Sequence, residues 1–230
     1  EDVVIPKAHK LTYIKRLKTK IASIGQNETG VPLTEDSEGD GGDDTMGSRG
    51  SFTAAVVGVA ASLMAADMVV GGQCVNAFCA VRPPGHHAGR ELHSMKAISN
   101  GFCLLNAAAC TALYATTPIS QGGLGLRRVC VIDFDVHHGN GTVDICRHDP
   151  RILVCSSFQH PFYPGRMHEI AQNNIVNTPL SAGASGDDFR RAVAASWWPA
   201  IEAHRPDLIL ISAGFDGHKL DDIAQLNLSE

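Results

Sequence analysis

The chain has 230 residues, of which 44% are hydrophobic and 19% charged, with a formal net charge of −5. That length can bury one large core, and the acidic balance gives no general reason to expect nucleic-acid binding. Seven cysteines, an odd number with no CxxC or Cys/His finger spacing, read as reduced thiols of an intracellular protein rather than a disulfide framework. The opening "EDVVIPKAHK" has neither signal-peptide nor transit-peptide character. It starts as though cut from a longer chain. No uninterrupted apolar run reaches the roughly 18 residues that suggest a membrane-crossing helix.

"HKLTYIKRLKTKIASI" puts Leu11, Ile14, Leu17, Ile21 and Ile24 on one helical face and lysines on the other. "EDSEGDGGDD" follows, six acids interleaved with glycine, the pattern of a surface loop. Ser51 is placed to cap a second helix that carries Phe52, Val56, Val59, Leu63 and Met64 inward. Four short apolar runs then read as strands: 77–82, 128–134, 152–158 and 207–213. A helix from about Asp187 to His204 carries Phe189, Val193, Trp197 and Ile201 at spacing four, with Pro199 expected to bend it. Apolar strands alternating with helices predict one α/β domain whose parallel sheet is covered on both faces.

In such sheets ligands bind beyond the carboxyl ends of the strands, and three of the four runs end in chemistry. "AVR" leads into "PPGHHAG", "VIDF" into "DVHHGNG" and "LILISA" into "GFDGH". Asp133, Asp135 and His137 alternate, so an extended backbone puts them on one face with His138 opposite. Asp135 and His137, with Asp216 from another strand end, make a reasonable three-ligand set for a catalytic divalent metal. A lone D-x-H is as often a salt-bridged loop. The glycines at 139 and 141 favour the metal, because they permit close backbone approach. His86 and His87, stiffened by two prolines, suit either ligation or acid–base work beside a metal; a pair of ordinary loop histidines is the bland alternative. Phe102 in "SNGFCLLN" and the ring of "HPFYPG" are, taken singly, better read as packing.

Taken together and in order, "AVRPPGHHAG", "GFCLLN", "VIDFDVHHGNGT", "SSFQHPFYPG" and "ILISAGFDGH" resemble the zinc-dependent histone deacetylases, in the class II-like or bacterial-type branch. The resemblance implies the arginase–deacetylase fold, a three-layer α/β sandwich around a mainly parallel sheet. It implies Zn²⁺ held by Asp135, His137 and Asp216. His86 and His87 match the tandem catalytic histidines, with Asp133 behind the first and Asn140 behind the second. Gly101 matches a residue whose carbonyl meets the substrate amide, and Phe102 and Tyr163 match the walls of an acyl-lysine tunnel, where the family more often has Phe at the second wall. Asp44 matches an acidic rim residue that holds the substrate backbone. Ser156 and Asp133 match ligands of a structural K⁺.

Three departures accompany the match. The link 89–100 is longer than usual, Phe158 stands where relatives often have His, and the closing "GGY" with its oxyanion-stabilising tyrosine is not found. The chain is therefore expected to be a single catalytic domain, 1–230, without its first strand and last catalytic loop. The activity implied is removal of acetyl from lysine in histone tails or other proteins. Deacetylation of small acetylated amines or polyamines, or non-catalytic acyl-lysine binding, stand as alternatives. Corepressor-type subunits are implied as partners, nucleic acid and membrane are not, and the compartment implied is nuclear, cytoplasmic or both.

Overall fold

A computed structural model describes residues 4–28, 30–33, 45–91, 100–165 and 172–229. Its centre is a four-stranded sheet of β3 (Val129–Asp133), β4 (Ile152–Gln159), β5 (Ile175–Leu180) and β6 (Leu208–Ser212), ordered β5-β4-β3-β6 with every neighbouring pair parallel. A two-residue antiparallel pair, β1 (Val31–Pro32) and β2 (Met46–Gly47), lies apart from it. The register aligns Asp133 with Ser156 on one side and Ser212 on the other. Strands β3 and β6 therefore end level while β4 runs on to Gln159, and the loops after all three leave from one edge.

Strand alternation sorts the side chains into two layers of core. Val129, Val131, Ile152 and Val154 belong to one core cluster with α1 (Ile5–Ala8), α2 (Leu11–Ala22), α3 (Ser51–Val70), α4 (Ala107–Thr116) and α5 (Asn140–Cys146). Cys130, Leu153 and Cys155 face α6 (Gly186–His204) through Val193 and Trp197. Burying side chains of that size contributes roughly 1.5–3 kcal/mol each. The Trp197 indole N–H donates to Thr178 Oγ1 on β5 at 3.0 Å, so the ring is buried without an orphaned donor. This is the expected three-layer α/β architecture.

Local chemistry explains where the helices start. Ser185 and Asp188 form a reciprocal capping box at the head of α6. Pro199 sits within that helix. The Asn106 side chain caps α4 by accepting the Ala109 N–H at 2.9 Å. At α3 the cap differs from expectation: Gly50 is the N-cap, and Ser51 Oγ accepts the Ser48 N–H at 2.9 Å.

Several sequence expectations need correction. The run 77–82 is not a strand, because no described strand lies beside it to complete a ladder, and Phe78 is 78% exposed. A fourth strand, β5, was not expected: Asn177 and Pro179 interrupt its apolar pattern, and Pro179 is tolerated because β5 is an edge. The sheet is covered on both faces only over β3 to β5, since Ile209 and Ile211 on β6 are exposed. Leu11 and Met64 point outward, whereas Ile14, Leu17 and Ile21 on α2 and Ala55, Val59 and Ala66 on α3 are buried. By length and composition α3 is apolar enough to cross a bilayer. Here it packs in part against α2 and α4.

Candidate metal centre

Beyond β3 the chain runs through Phe134–Asp135–Val136–His137 and turns into α5, while the loop after β6 brings Asp216 alongside. Asp135, His137 and Asp216 each offer a ligand atom, all within 4.8 Å of one another. His137 Nδ1 is 3.0 Å from Asp135 Oδ1 and 3.1 Å from Asp216 Oδ2. The backbone fixes both carboxylates. The His137 N–H donates to Asp135 Oδ1 at 2.8 Å, and the Val136 N–H donates to Asp216 Oδ1 at 3.0 Å. Two carboxylates converging on a single imidazole nitrogen, which can offer one proton at most, is a donor set suited to a divalent cation. The residues present therefore fit a zinc site.

The tandem histidines stand directly behind. His86 Nδ1 is 2.9 Å from Asp133 Oδ2, and its Nε2 is 3.7 Å from Asp135 Oδ1. His87 Nδ1 is 2.7 Å from Asn140 Oδ1, a pairing that puts the imidazole proton on Nδ1 and leaves Nε2 as an acceptor. Both rings are buried, and their centroids are 4.0 Å apart.

Electrostatics separate the two. For His86, burial disfavours the charged ring, but the carboxylates of Asp135 and Asp133, then Asp216, outweigh it and raise the pKa to about 9. For His87, burial and the charge of His86 act together and hold the imidazole well below 6.5. Without a metal, the surroundings thus favour the charged form of His86 and the neutral form of His87. Burial pushes the Asp133 carboxyl upward against the pull of His86. Burial also opposes ionisation of Asp135, yet His86 and the hydrogen bonds from His137 hold it below the usual carboxylate range. His137, disfavoured as a cation by burial but bonded to Asp135 and Asp216, rises to about 9.

The remaining predicted residues fall around this cluster. Gly101 (φ +50) lies flat on the His87 ring, where an added Cβ would meet Cδ2 at 2.3 Å. Phe102 follows it, half exposed. The Tyr163 ring stands edge-on to His87 at 4.9 Å and to His137 at 5.8 Å. Ser156 is buried beside Asp133 across the ladder, and its Oγ accepts the Gly139 N–H at 3.4 Å. His138, expected on the opposite face, is buried there with Nε2 3.0 Å from Asn177 Oδ1. Phe158 meets it edge-on at 4.8 Å. Asp44 lies outside the described residues, as does most of the long link after Arg90.

Sequence reasoning missed some supporting groups. Phe162 stacks on His137 at 5.3 Å. Asn106 donates to Ala88 O at 3.1 Å and Thr142 Oγ1 at 3.0 Å, tying the histidine loop to α4 and α5. His9 Nδ1 is 2.6 Å from Gly89 O, and its Nε2 accepts the Asn106 N–H at 3.0 Å. The only sequence signal for these was polar residues set among apolar ones.

The family model described as the histone deacetylase domain matches residues 2–230. The chain belongs to the histone deacetylase family. It is 36% identical to the type-2 histone deacetylase 2 of Dictyostelium discoideum over 96% of the chain and 14% of that protein. Against the chloroplastic histone deacetylase 10 of Oryza sativa subsp. japonica it is 36% identical over its whole length and 50% of the relative's. An uncharacterized protein of Synechocystis is also 36% identical, over 99% of the chain and 67% of its own. Among solved structures, the HDA15 HD domain superposes with a TM-score of 0.80 at 30% identity, covering 98% of this chain and 61% of that one. The chain thus spans only part of several of the relatives it matches.

Proposed function

We propose that this deacetylase-family chain carries the metal-binding and acyl-lysine-binding part of a zinc-dependent lysine deacetylase. The observation that carries the proposal is geometric: Asp135, His137 and Asp216 converge beside two buried histidines, one paired with Asp133 and the other with Asn140. A divalent cation held by those three supplies Lewis-acid polarisation of a carbonyl and acidification of water. His87, neutral with Nε2 free to accept, takes the proton from the attacking water and returns it to the leaving amine. His86, with Nδ1 2.9 Å from Asp133 Oδ2, would supply positive charge where an oxyanion develops. Gly101, Phe102 and Tyr163 line the approach for a flat acyl group on a methylene stem. Asp133 and Ser156 remain the proposed K⁺ ligands. Acetylated histone tails or other acetylated proteins are the proposed substrates and corepressor-type subunits the proposed partners. The proposed compartment is nucleus or cytoplasm, without direct nucleic-acid or membrane binding.

The test is a panel of acetyl-lysine peptides and acetylated polyamines offered to zinc-loaded protein, wild type and His87→Ala. The expected result is turnover of peptides, reduced about 10²–10⁴-fold in the variant with zinc content unchanged. Turnover of polyamines alone would move the activity to small amines. Loss of zinc in the variant, with normal turnover per zinc, would make His87 a ligand and overturn its role as base.

A further inference from the structure

The turn that presents Phe102 is strained. Gly101 and Phe102 occupy the left-handed region in succession, at φ +50 and φ +64. Glycine adopts that conformation freely, but phenylalanine does not. A strained backbone persists only where its surroundings over-determine it, and the Phe102 ring cannot do that work. It is 49% exposed, beside a surface groove lined by Met46, Ala54, Arg82 and Pro83. Packing therefore leaves the ring largely unrestrained.

What holds the turn is polar and lies on its inner side. The Cys103 N–H donates to Asn100 O at 2.9 Å and closes the turn. The Phe102 N–H donates to Thr45 Oγ1 at 3.2 Å. Thr45 is fully buried, and its own carbonyl accepts the Leu33 N–H at 3.0 Å, extending the β1–β2 pair. The hydroxyl is thus anchored to an element separate from the sheet, and it reaches the one backbone donor that sets the Phe102 φ angle.

The geometry points to Thr45 as a positioning residue: its buried hydroxyl fixes the Gly101–Phe102 turn and so sets where the Phe102 wall stands in the acyl pocket. The inference rests on the acyl-lysine reading above and extends it, making the β1–β2 pair part of the apparatus that selects the acyl stem. Thr45 is not among the proposed metal ligands or paired histidines, so its loss is expected to act on binding and not on metal.

The experiment measures binding of a lysine-length hydroxamate to the zinc-loaded chain in wild type, Thr45→Val, Thr45→Ser, Phe102→Ala and Thr45→Val/Phe102→Ala. Valine keeps the shape and removes the acceptor; Thr45→Ala gives the same comparison if valine is not accommodated. Thr45→Val is expected to weaken binding about tenfold, equivalent to about 1.4 kcal/mol, with zinc stoichiometry unchanged. Thr45→Ser should bind as wild type. In the Phe102→Ala background the Thr45 change should have no further effect, the signature of two residues acting through one another. Wild-type binding by Thr45→Val, or the same loss with and without the Phe102 ring, would overturn the positioning role. No binding by zinc-loaded wild type would instead overturn the acyl-lysine reading, and this inference with it.

Discussion

A metal site can be disabled without touching a ligand, and Gly214 is the place to do it. An alanine Cβ at position 214 would stand 2.1 Å from Asp135 Oδ2, 2.5 Å from Cγ and 2.6 Å from Cβ. All three atoms belong to a proposed ligand, so the carboxylate must retreat by about 1 Å to reach a tolerable contact. Asp135 has no free rotation to absorb this. Its Oδ1 is held by the His137 backbone N–H at 2.8 Å and lies 3.0 Å from the ring. Metal ligation tolerates errors of only about 0.2 Å. Disturbing groups that merely orient ligands already costs about 10–100-fold in affinity, so Gly214→Ala should lose at least that much. The destabilisation of the fold itself should stay near the overpacking range of about 1–3 kcal/mol. Competition titration against a chromophoric chelator, alongside melting in EDTA, separates the two effects, with Asp135→Ala marking complete loss of a ligand. A folded Gly214→Ala protein with wild-type zinc affinity would refute the assignment of Asp135 as a ligand in this geometry.

Three further outcomes follow from the electrostatics. The metal-free His137 holds its proton up to a pKa of about 9. Metal must displace that proton, so zinc affinity should climb by up to tenfold per pH unit below that value, with proton release visible by calorimetry in buffers of different ionisation heat. Burial of His9, aided by Arg90 and only partly opposed by the hydrogen bond to Gly89 O, lowers its pKa from 6.5 to about 4. The unfolded chain therefore takes up this proton first as pH falls. Its contribution to stability is complete above about pH 6.5 and is lost between there and pH 4, a total of about 3 kcal/mol. Denaturant melts of wild type against His9→Gln should converge over that interval, and a constant difference would refute it. Burial pushes the Cys103 thiol far above its ordinary value, and the residue is fully buried. Alkylation mapped by mass spectrometry should reach Cys103 only on unfolding, whereas rapid labelling of the native protein would contradict its burial.

The legibility of this molecule divides along a physical line. Strands β3, β4 and β6 could be read because uniformly apolar runs of β-branched residues have few other uses, and they end in residues that have none at all in a core. The convergence of Asp135, His137 and Asp216 then followed from topology, since parallel strands in one sheet deliver their carboxyl ends to one edge. The run 77–82 is also mostly apolar, though Val81 is its only β-branched residue, and it is not a strand. A sequence records that a segment is suited to a ladder, whereas a strand exists only when a neighbour completes it. β5 is the converse case: its Asn177 and Pro179 look like breakers, yet one bonds His138 and the other sits on an edge that needs no donor.

The site divides in the same way. Groups that would touch metal or substrate belong to short contiguous motifs, because each strand end delivers its chemistry within a few residues. The groups that hold them do not. His9 reaches Gly89 across 80 residues, Asn106 reaches Thr142 across 36, and Thr45 reaches Phe102 across 57. Each is a common polar residue that acts through long-range hydrogen bonds to backbone or side chain, and such bonds leave no periodicity behind. The strain at Phe102 is equally silent, since nothing in "NGFC" shows that the phenylalanine, and not only the glycine, turns left-handed. The chemistry of this centre is written locally, but its precision comes from distant residues, which is why an isosteric change such as Thr45→Val is expected to alter binding while leaving every motif intact.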